Sequence, residues 1–421
     1  MRLSLRIVVA AIALASATST TAAWADTLEK VVILSRHGVR SAMSSPERLE
    51  EASARPWPRF EVPAGHLTAR GETLVARMGD YYRQYYVAQG LLKPGECSAV
   101  YAWANVTQRT IATGKAYAAA LAPGCPVAVN TVGEGNHDPM FEPVKAGIVK
   151  ADHALARAAV AGRVGDDLTA WSASHRQEAE QLDALLMQCD RGPCPPSPGK
   201  RRVFDAKPGF VDGEELAGVS GPEAFASGVT ESLLMAWADG RDFAGLGWKG
   251  LDEETLTRSF FLHQAEFDLR LRTPYVARTL AGHLADRILA TVQSGAKPNA
   301  APIGPAEAKL VVISGHDGTL ASLGGLLRME WTLPGYQPNQ IQPGGALVFE
   351  RWKRDDGVRV IRVRFTGQSL SQLRDMTPLD AKTPPLLAPV FIQGCGTATP
   401  AFDCRLEDFE AVVRHVTRAD S

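Results

Sequence analysis

Two dense hydrophobic runs in this chain end in the same unusual way. Val31, Val32, Ile33 and Leu34 lead through Ser35 into Arg36, His37, Gly38, Val39 and Arg40, while Leu310, Val311, Val312 and Ile313 lead through Ser314 into Gly315, His316 and Asp317. Short uninterrupted apolar runs read as strands of a parallel sheet covered on both faces. A third run, 100–104, passes into Asn105, Val106, Thr107, Gln108, Arg109 and Thr110 and predicts a strand followed by a helix that reaches Leu121, capped by Asn105 or Thr107. Leu74, Met78, Tyr81, Tyr82 and Tyr85 recur at helical spacing and predict a long helix over 67–89, with Thr68 as its N-cap and Gly90 just past its end.

The polar, proline-bearing stretch 44–63 is too long for a simple connection, so it is expected to shape a pocket rim. From 149 to 260 strand-like runs give way to helical patterns over 151–188, 222–238 and 252–271, with a Pro/Gly stretch at 192–199. This predicts an inserted, mostly helical domain. The α/β pattern resumes with a helix over 275–292, a linker at 294–305 and the strand before His316. Two alternating runs, 344–352 and 358–365, flank Asp355, Asp356 and Gly357 and predict a hairpin. The expected architecture is therefore an α/β domain with a mainly parallel central sheet, built from 26–148 and 261–421 and interrupted by a helical insert at 149–260.

Composition narrows the partners. With 45 basic and 46 acidic residues in 421, the formal net charge is -1. That balance gives no argument for nucleic acid or an anionic membrane surface as a partner, so any attraction for anions must be local. Arg2 and Arg6, an apolar stretch over 7–17, and Ala23, Trp24, Ala25 as a small-x-small cleavage site read as a signal peptide over 1–25, with a mature chain from about Asp26. The stretch is shorter than the roughly 20 residues a spanning helix needs, so no membrane association is expected after cleavage. In an exported protein six cysteines point to disulfides, and proximity in sequence favours Cys97 with Cys125, Cys189 with Cys194, and Cys395 with Cys404. Metal binding competes poorly, because no histidine accompanies the cysteines at zinc spacing.

In open α/β folds, ligands bind outside the carboxyl ends of the strands. If the runs before His37 and His316 are neighbouring strands, two imidazoles, several guanidiniums and a carboxylate converge on one crevice, a set suited to a phosphoryl group. A phosphate monoester needs charge-assisted donors around its non-bridging oxygens, an in-line nucleophile and a proton for the departing oxygen. Arg36 and Arg40 bracket His37 and supply forked, permanent charge. Beside two guanidiniums the imidazole should stay neutral and keep a ring nitrogen free to attack. Gly38 is expected to let the backbone turn tightly. Arg109, in the first turn of its helix, opposes the helix dipole unless it faces negative charge. His316 adds a donor, and Asp317 could protonate the leaving oxygen. A second His-Asp pair, His137 and Asp138, has no strand before it and is read as loop.

With these residues in view, the chain resembles the histidine acid phosphatases, the two-domain branch of the histidine phosphatase superfamily. In particular it is similar to bacterial periplasmic phytases and glucose-1-phosphatases. The resemblance is carried by SRHGVR, the Trp57-Pro58 pair, LTARG at 67–71, Gln108 to Thr110, DPMFEP at 138–143, RTPYVAR at 272–278, GHDGTLASLGG at 315–325, WTLPG at 331–335 and PGGALVFERW at 343–352. It implies a phosphoglycerate-mutase-like α/β domain with the inserted helical domain, and no cofactor or metal. It makes His37 the nucleophile that becomes phosphohistidine, with Arg36, Arg40, Arg109 and His316 binding phosphate and Asp317 donating the proton. It also implies the same three cysteine pairs.

Where phytases of this type carry a Thr-Lys pair after the signature, this chain has Met43 and Ser44, closer to glucose-1-phosphatases. Arg272, conversely, sits where phytases carry an arginine for an outer phosphate. Glu231 falls in the insert where the pocket lip is expected, with an exposed helix position as its bland reading. The expected partner is a small inositol or sugar phosphate, the expected location periplasmic or secreted, and the expected state a monomer or dimer. Two other readings are a metal-dependent phosphoesterase, disfavoured because arginines repel a cation and ligands do not cluster, and a non-catalytic phosphate-ester binder.

Overall fold

The computed structural model describes residues 26–189, 194–195, 198–213, 215–293 and 300–418. The expected leader lies outside them, as do parts of the 192–199 stretch and of the 294–305 linker. In chain order the strands are β1 (Thr27–Arg36), β2 (Val100–Ala104), β3 (Val129–Asn130), β4 (Gly209–Val211), β5 (Gly218–Ser220), β6 (Leu310–Gly315), β7 (Ala346–Lys353), β8 (Arg359–Gly367), β9 (Leu386–Val390) and β10 (Cys404–Arg405). Apart from the β4–β5 hairpin they form one sheet in the order β10-β8-β7-β1-β6-β2-β3, with β9 paired to β8. From β1 through β6 and β2 to β3 the pairing is parallel. The β7–β8 hairpin extends the sheet antiparallel on the other side of β1.

The two runs singled out in the sequence are thus adjacent parallel strands, with Arg36 opposite Gly315. Both runs are fully buried, and their side chains alternate between two apolar layers as a strand's period of two requires. Val31, Ile33, Leu310 and Val312 pack with Met78, Tyr82 and Tyr117 from helices Ala69–Ala88 and Gln108–Leu121. Val32, Leu34, Val311 and Ile313 share a larger core with helix Pro274–Val292 and with Leu233, Leu234 and Phe260 of the 149–260 segment. That core runs unbroken from the sheet into the helical segment. Thr68 caps helix Ala69–Ala88 by accepting from the Gly71 N–H at 2.9 Å.

Within 149–260 the helices are His153–Arg163, Leu168–Ala173, Arg176–Met187, Pro222–Ala238 and Glu253–Ser259, together with the short β4–β5 hairpin. The single helix expected over 252–271 is two, Glu253–Ser259 and Phe261–Leu271, joined at Phe260. No proline or glycine marks the break. Phe260 is 1 % exposed, and burying that ring decides the bend rather than helix propensity. The disulfides Cys97–Cys125, Cys189–Cys194 and Cys395–Cys404 are all formed. No helix among the described residues is long and apolar enough to cross a membrane.

Candidate active site

Because β1 and β6 are parallel neighbours, the residues leaving their carboxyl ends emerge side by side. The His37 N–H donates to the Gly315 carbonyl at 2.9 Å, and the His37 and His316 rings stand 5.7 Å apart, edge to face. His316 is the N-cap of helix Asp317–Leu326, so Asp317 opens that helix at the same edge. β2 lies beside β6, and its following helix, Gln108–Leu121, brings Arg109 in its first turn to the crevice, with Nη2 3.4 Å from His316 Nδ1. Thr107 occupies the N-cap position of that helix but takes no first-turn N–H with its side chain.

Gly38 works differently from the expectation. It does not have the positive φ of a turn glycine. What it supplies is room: a Cβ there would lie 2.6 Å from Val75 Cγ2 and 3.0 Å from the Gly71 carbonyl. Gly71 is the counterpart, where a Cβ would stand 2.0 Å from the Val39 carbonyl. The pair lets the 38–40 loop lie directly on helix Ala69–Ala88, which fixes the loop carrying His37.

His37 is buried, and its Nδ1 is 2.9 Å from the Gly38 carbonyl. Only a protonated Nδ1 can make that hydrogen bond, so Nε2 keeps its lone pair. Burial, Arg36, Arg40, His316 and Arg109 all push the His37 pKa well below its ordinary value. His316 is lowered to about 3, by burial first and then by Arg109. His316 is therefore neutral above about pH 3, and His37 is held toward its neutral form.

Three guanidiniums surround this pair. Arg36, fully buried, donates from Nη1 to the Ile341 carbonyl at 2.6 Å and from Nη2 to Glu231, and its Nη2 also lies 2.9 Å from Asp317 Oδ2. Arg40 donates to the Ser41 carbonyl at 2.9 Å and faces Glu231 at 3.4 Å. Arg109 has its pKa lowered to about 10, by burial and by Arg40, and still carries its charge. The Nε–H groups of Arg36, Arg40 and Arg109 are all buried without a partner. Unpaired buried donors are costly, and three around one histidine are matched by a multivalent anion.

Burial works to raise the Asp317 pKa, but Arg36 and His263 bring it down to about 2. The free site thus holds its carboxylate ionised. Three guanidiniums against Glu231 and Asp317 leave it one positive charge in excess, which favours anion entry.

The four expected pocket positions behave differently from one another. Met43 is exposed at the mouth, its Sδ 2.7 Å from where a Cβ would stand at Gly65, a point 3.7 Å from Arg109 Nη1; Ser44 is half-buried beside it. Glu231 is not on an exposed lip. It is buried beneath the site, ion-paired to both Arg36 and Arg40, because helix Pro222–Ala238 packs its apolar faces into the core and turns this carboxylate inward. Arg272 does not face the crevice either. It is buried at the far end of helix Asp317–Leu326, against Gly324 and Gly325, donating to the Met329 carbonyl at 2.7 Å, paired with Glu330 and Asp268, and lying over the Trp331 ring. Eight helical residues from Asp317 to Gly325 amount to about 12 Å along the helix axis. Asp138 of the second His-Asp pair is in a loop, where its carboxylate accepts from Trp103 Nε1 and the Met140 N–H.

The residue that the sequence reading passed over is His263. It is buried between Phe260 and Phe267, has Nδ1 2.9 Å from Ser227 Oγ, and lies within electrostatic reach of Glu231 and Asp317. Its position three residues before Glu266 on a helix was visible; its proximity to Asp317 was not.

The profile of the histidine phosphatase superfamily (branch 2) matches residues 27–366. Phytase AppA of Escherichia coli K12 is 36% identical over 401 residues, covering 92% of this chain and 91% of that protein. A glucose-1-phosphatase of Salmonella typhimurium is 29% identical over 404 residues, covering 92% of each. The structure of a Hafnia alvei phytase in complex with tartrate superposes with a TM-score of 0.85 at 34% identity, over 94% of this chain and 98% of that one.

Proposed function

Since the chain belongs to branch 2 of the histidine phosphatase superfamily and is a histidine acid phosphatase, we propose that it is an exported enzyme that hydrolyses phosphate monoesters through a phosphohistidine on His37. The observation that carries this reading is the trio of unpartnered Nε–H donors from Arg36, Arg40 and Arg109 around a neutral histidine. Phosphate held by those donors and by His316 lies over the His37 ring. His37 Nε2 attacks phosphorus, the bond to the leaving oxygen breaks, and that oxygen takes a proton delivered by Asp317. In the second half, water attacks the phosphohistidine, Asp317 takes its proton, and inorganic phosphate leaves.

The low pKa of Asp317 in the free site sets where the proton comes from. A monoester monoanion brings one proton with it, and inside the cradle the phosphoryl group keeps the arginines while the proton passes to Asp317. The substrate's charge offsets the guanidiniums that hold Asp317 down, so the acid form is stabilised only once substrate is bound. Substrate monoanions persist below a second ionisation near pH ~6. The reading therefore requires an acidic optimum even though Asp317 itself is ionised in the free enzyme.

Relatives named phytase and glucose-1-phosphatase frame the substrate as a small phosphorylated polyol or sugar. Three disulfides support export to an oxidising compartment. Turnover of p-nitrophenyl phosphate by His37→Ala tests the mechanism. Loss of at least a thousandfold in a folded variant is expected, and turnover near the wild-type rate would overturn it. Activity that disappears on exhaustive chelation would overturn the metal-free mechanism.

A further inference from the structure

With Arg272 turned away and Met43 and Ser44 uncharged, the cradle has no cation on the wall beside Asp317 from the positions first considered. Helix Phe261–Leu271 forms that wall: Leu271 Cδ1 is 3.6 Å from where a Cβ would stand at Gly318, next to Asp317. Spacing of three and four puts His263, Glu266 and Arg270 on one face of this helix. Both His263 and Arg270 lie within electrostatic reach of Asp317.

Arg270 has two unlike partners. Its Nε donates to Glu266 Oε1 at 2.5 Å, from a carboxylate whose side chain is 5% exposed, while a guanidinium nitrogen stands 3.5 Å from Glu215 Oε2, whose side chain is 58% exposed on the β4–β5 turn. The first is a buried i,i+4 pair that fixes the guanidinium; the second is long, solvated and worth little. A buried Arg–Glu pair is a poor stabilising device in itself, because desolvation consumes most of the attraction. Its place on the helix face shared with His263, next to Leu271, which packs at Gly318 beside the proton donor, points to substrate.

We infer that Arg270 determines specificity by taking a second phosphate carried on the leaving group, exchanging Glu215 for it while Glu266 holds the guanidinium in place. The inference rests on the phosphomonoesterase reading above and selects polyphosphorylated over singly phosphorylated substrates. Glu215 then acts as a displaceable stand-in for that anion.

The test is the ratio of kcat/KM for phytate to that for p-nitrophenyl phosphate in the full-length protein. Arg270→Leu alone strands Glu266, so it is combined with Glu266→Gln, and Arg270→Lys serves as the conservative variant. One lost charge-assisted contact predicts a ratio about tenfold lower, through KM rather than kcat, partly recovered by lysine. Glu215→Gln, a substitution at an exposed turn, predicts a higher ratio through a lower KM for phytate. A ratio within twofold of wild type in both the double variant and Glu215→Gln overturns the inference, and should the double variant not fold, Glu215→Gln alone decides. Failure of the parent reading looks different: His37→Ala would keep its turnover while these ratios stayed measurable.

Discussion

Replacing Asp317 with asparagine should move two quantities in opposite directions. In the free enzyme Asp317 is an anion, with its pKa at about 2 and its Oδ2 2.9 Å from Arg36 Nη2. A phosphate bound to the same guanidinium comes within about 5 Å of that carboxylate, where two unit charges at an effective dielectric constant of ~20 repel by roughly 3 kcal/mol. The Asp317 side chain is 22% exposed, so solvent screens part of this, leaving about 1–2 kcal/mol. The Asp317→Asn substitution removes that repulsion, and inorganic phosphate should bind on the order of tenfold more tightly. The same change removes the proton donor, worth about 10²–10⁴ in rate for a leaving group that needs one. The assay is steady-state kinetics near pH 5, comparing an alkyl phosphate with p-nitrophenyl phosphate, with competitive inhibition by inorganic phosphate measured above its second ionisation near ~6, where it binds as the dianion and brings no proton for Asp317. The expected outcome is a large fall in kcat on the alkyl ester, a smaller one on the aryl ester, and a lower inhibition constant. Equal losses on both esters, or weaker phosphate inhibition, would refute the assignment of Asp317 as an ionised neighbour that becomes the acid.

Other consequences follow from the same geometry. Glu231→Gln removes the carboxylate shared by Arg36 and Arg40, weakening a buried charge-assisted contact worth about 1.5–3 kcal/mol, so kcat/KM should fall roughly 10- to 100-fold, read on an aryl phosphate. For pH, the lowered Asp317 pKa means the carboxylate protonates only as pH falls through about 2, while the reactive monoanion is lost as pH rises through the substrate's second ionisation near ~6. The kcat/KM profile should therefore peak between these limits, and a maximum above pH 7 would contradict it. Removing Cys97–Cys125, which spans 28 residues, should cost about 3.5 kcal/mol by the loop-entropy relation, against about 2 kcal/mol for Cys189–Cys194, which spans 5; denaturant titration of the paired alanine variants compares them.

Much of this site was legible because its parts adjoin strand ends. His37 with Arg36 and Arg40, His316 with Asp317, and Arg109 each follow an apolar run closely enough that parallel pairing brings them together. Glu231 stands 195 residues from Arg36 and reaches it only through the packing of helix Pro222–Ala238, a long-range contact that periodicity does not encode. Arg272 and Arg270 illustrate a second limit. Two positions on a helix differ by about 200° in direction, so a motif that includes one says nothing of which faces the crevice. The break at Phe260 and the three-residue strands β4 and β5 were hidden for a third reason: burial of particular rings and a short pairing override weak local preferences.

The central claim is that His37 carries the phosphoryl group between the two half-reactions. Mixing the enzyme with a ³²P-labelled monoester, quenching within milliseconds under alkaline denaturing conditions that preserve phosphohistidine, and mapping the label by peptide analysis tests it directly. Label on the peptide containing His37, lost on acid treatment and absent from His37→Ala, is the predicted result. Turnover without any labelled protein, or label stable to acid on another residue, would contradict it.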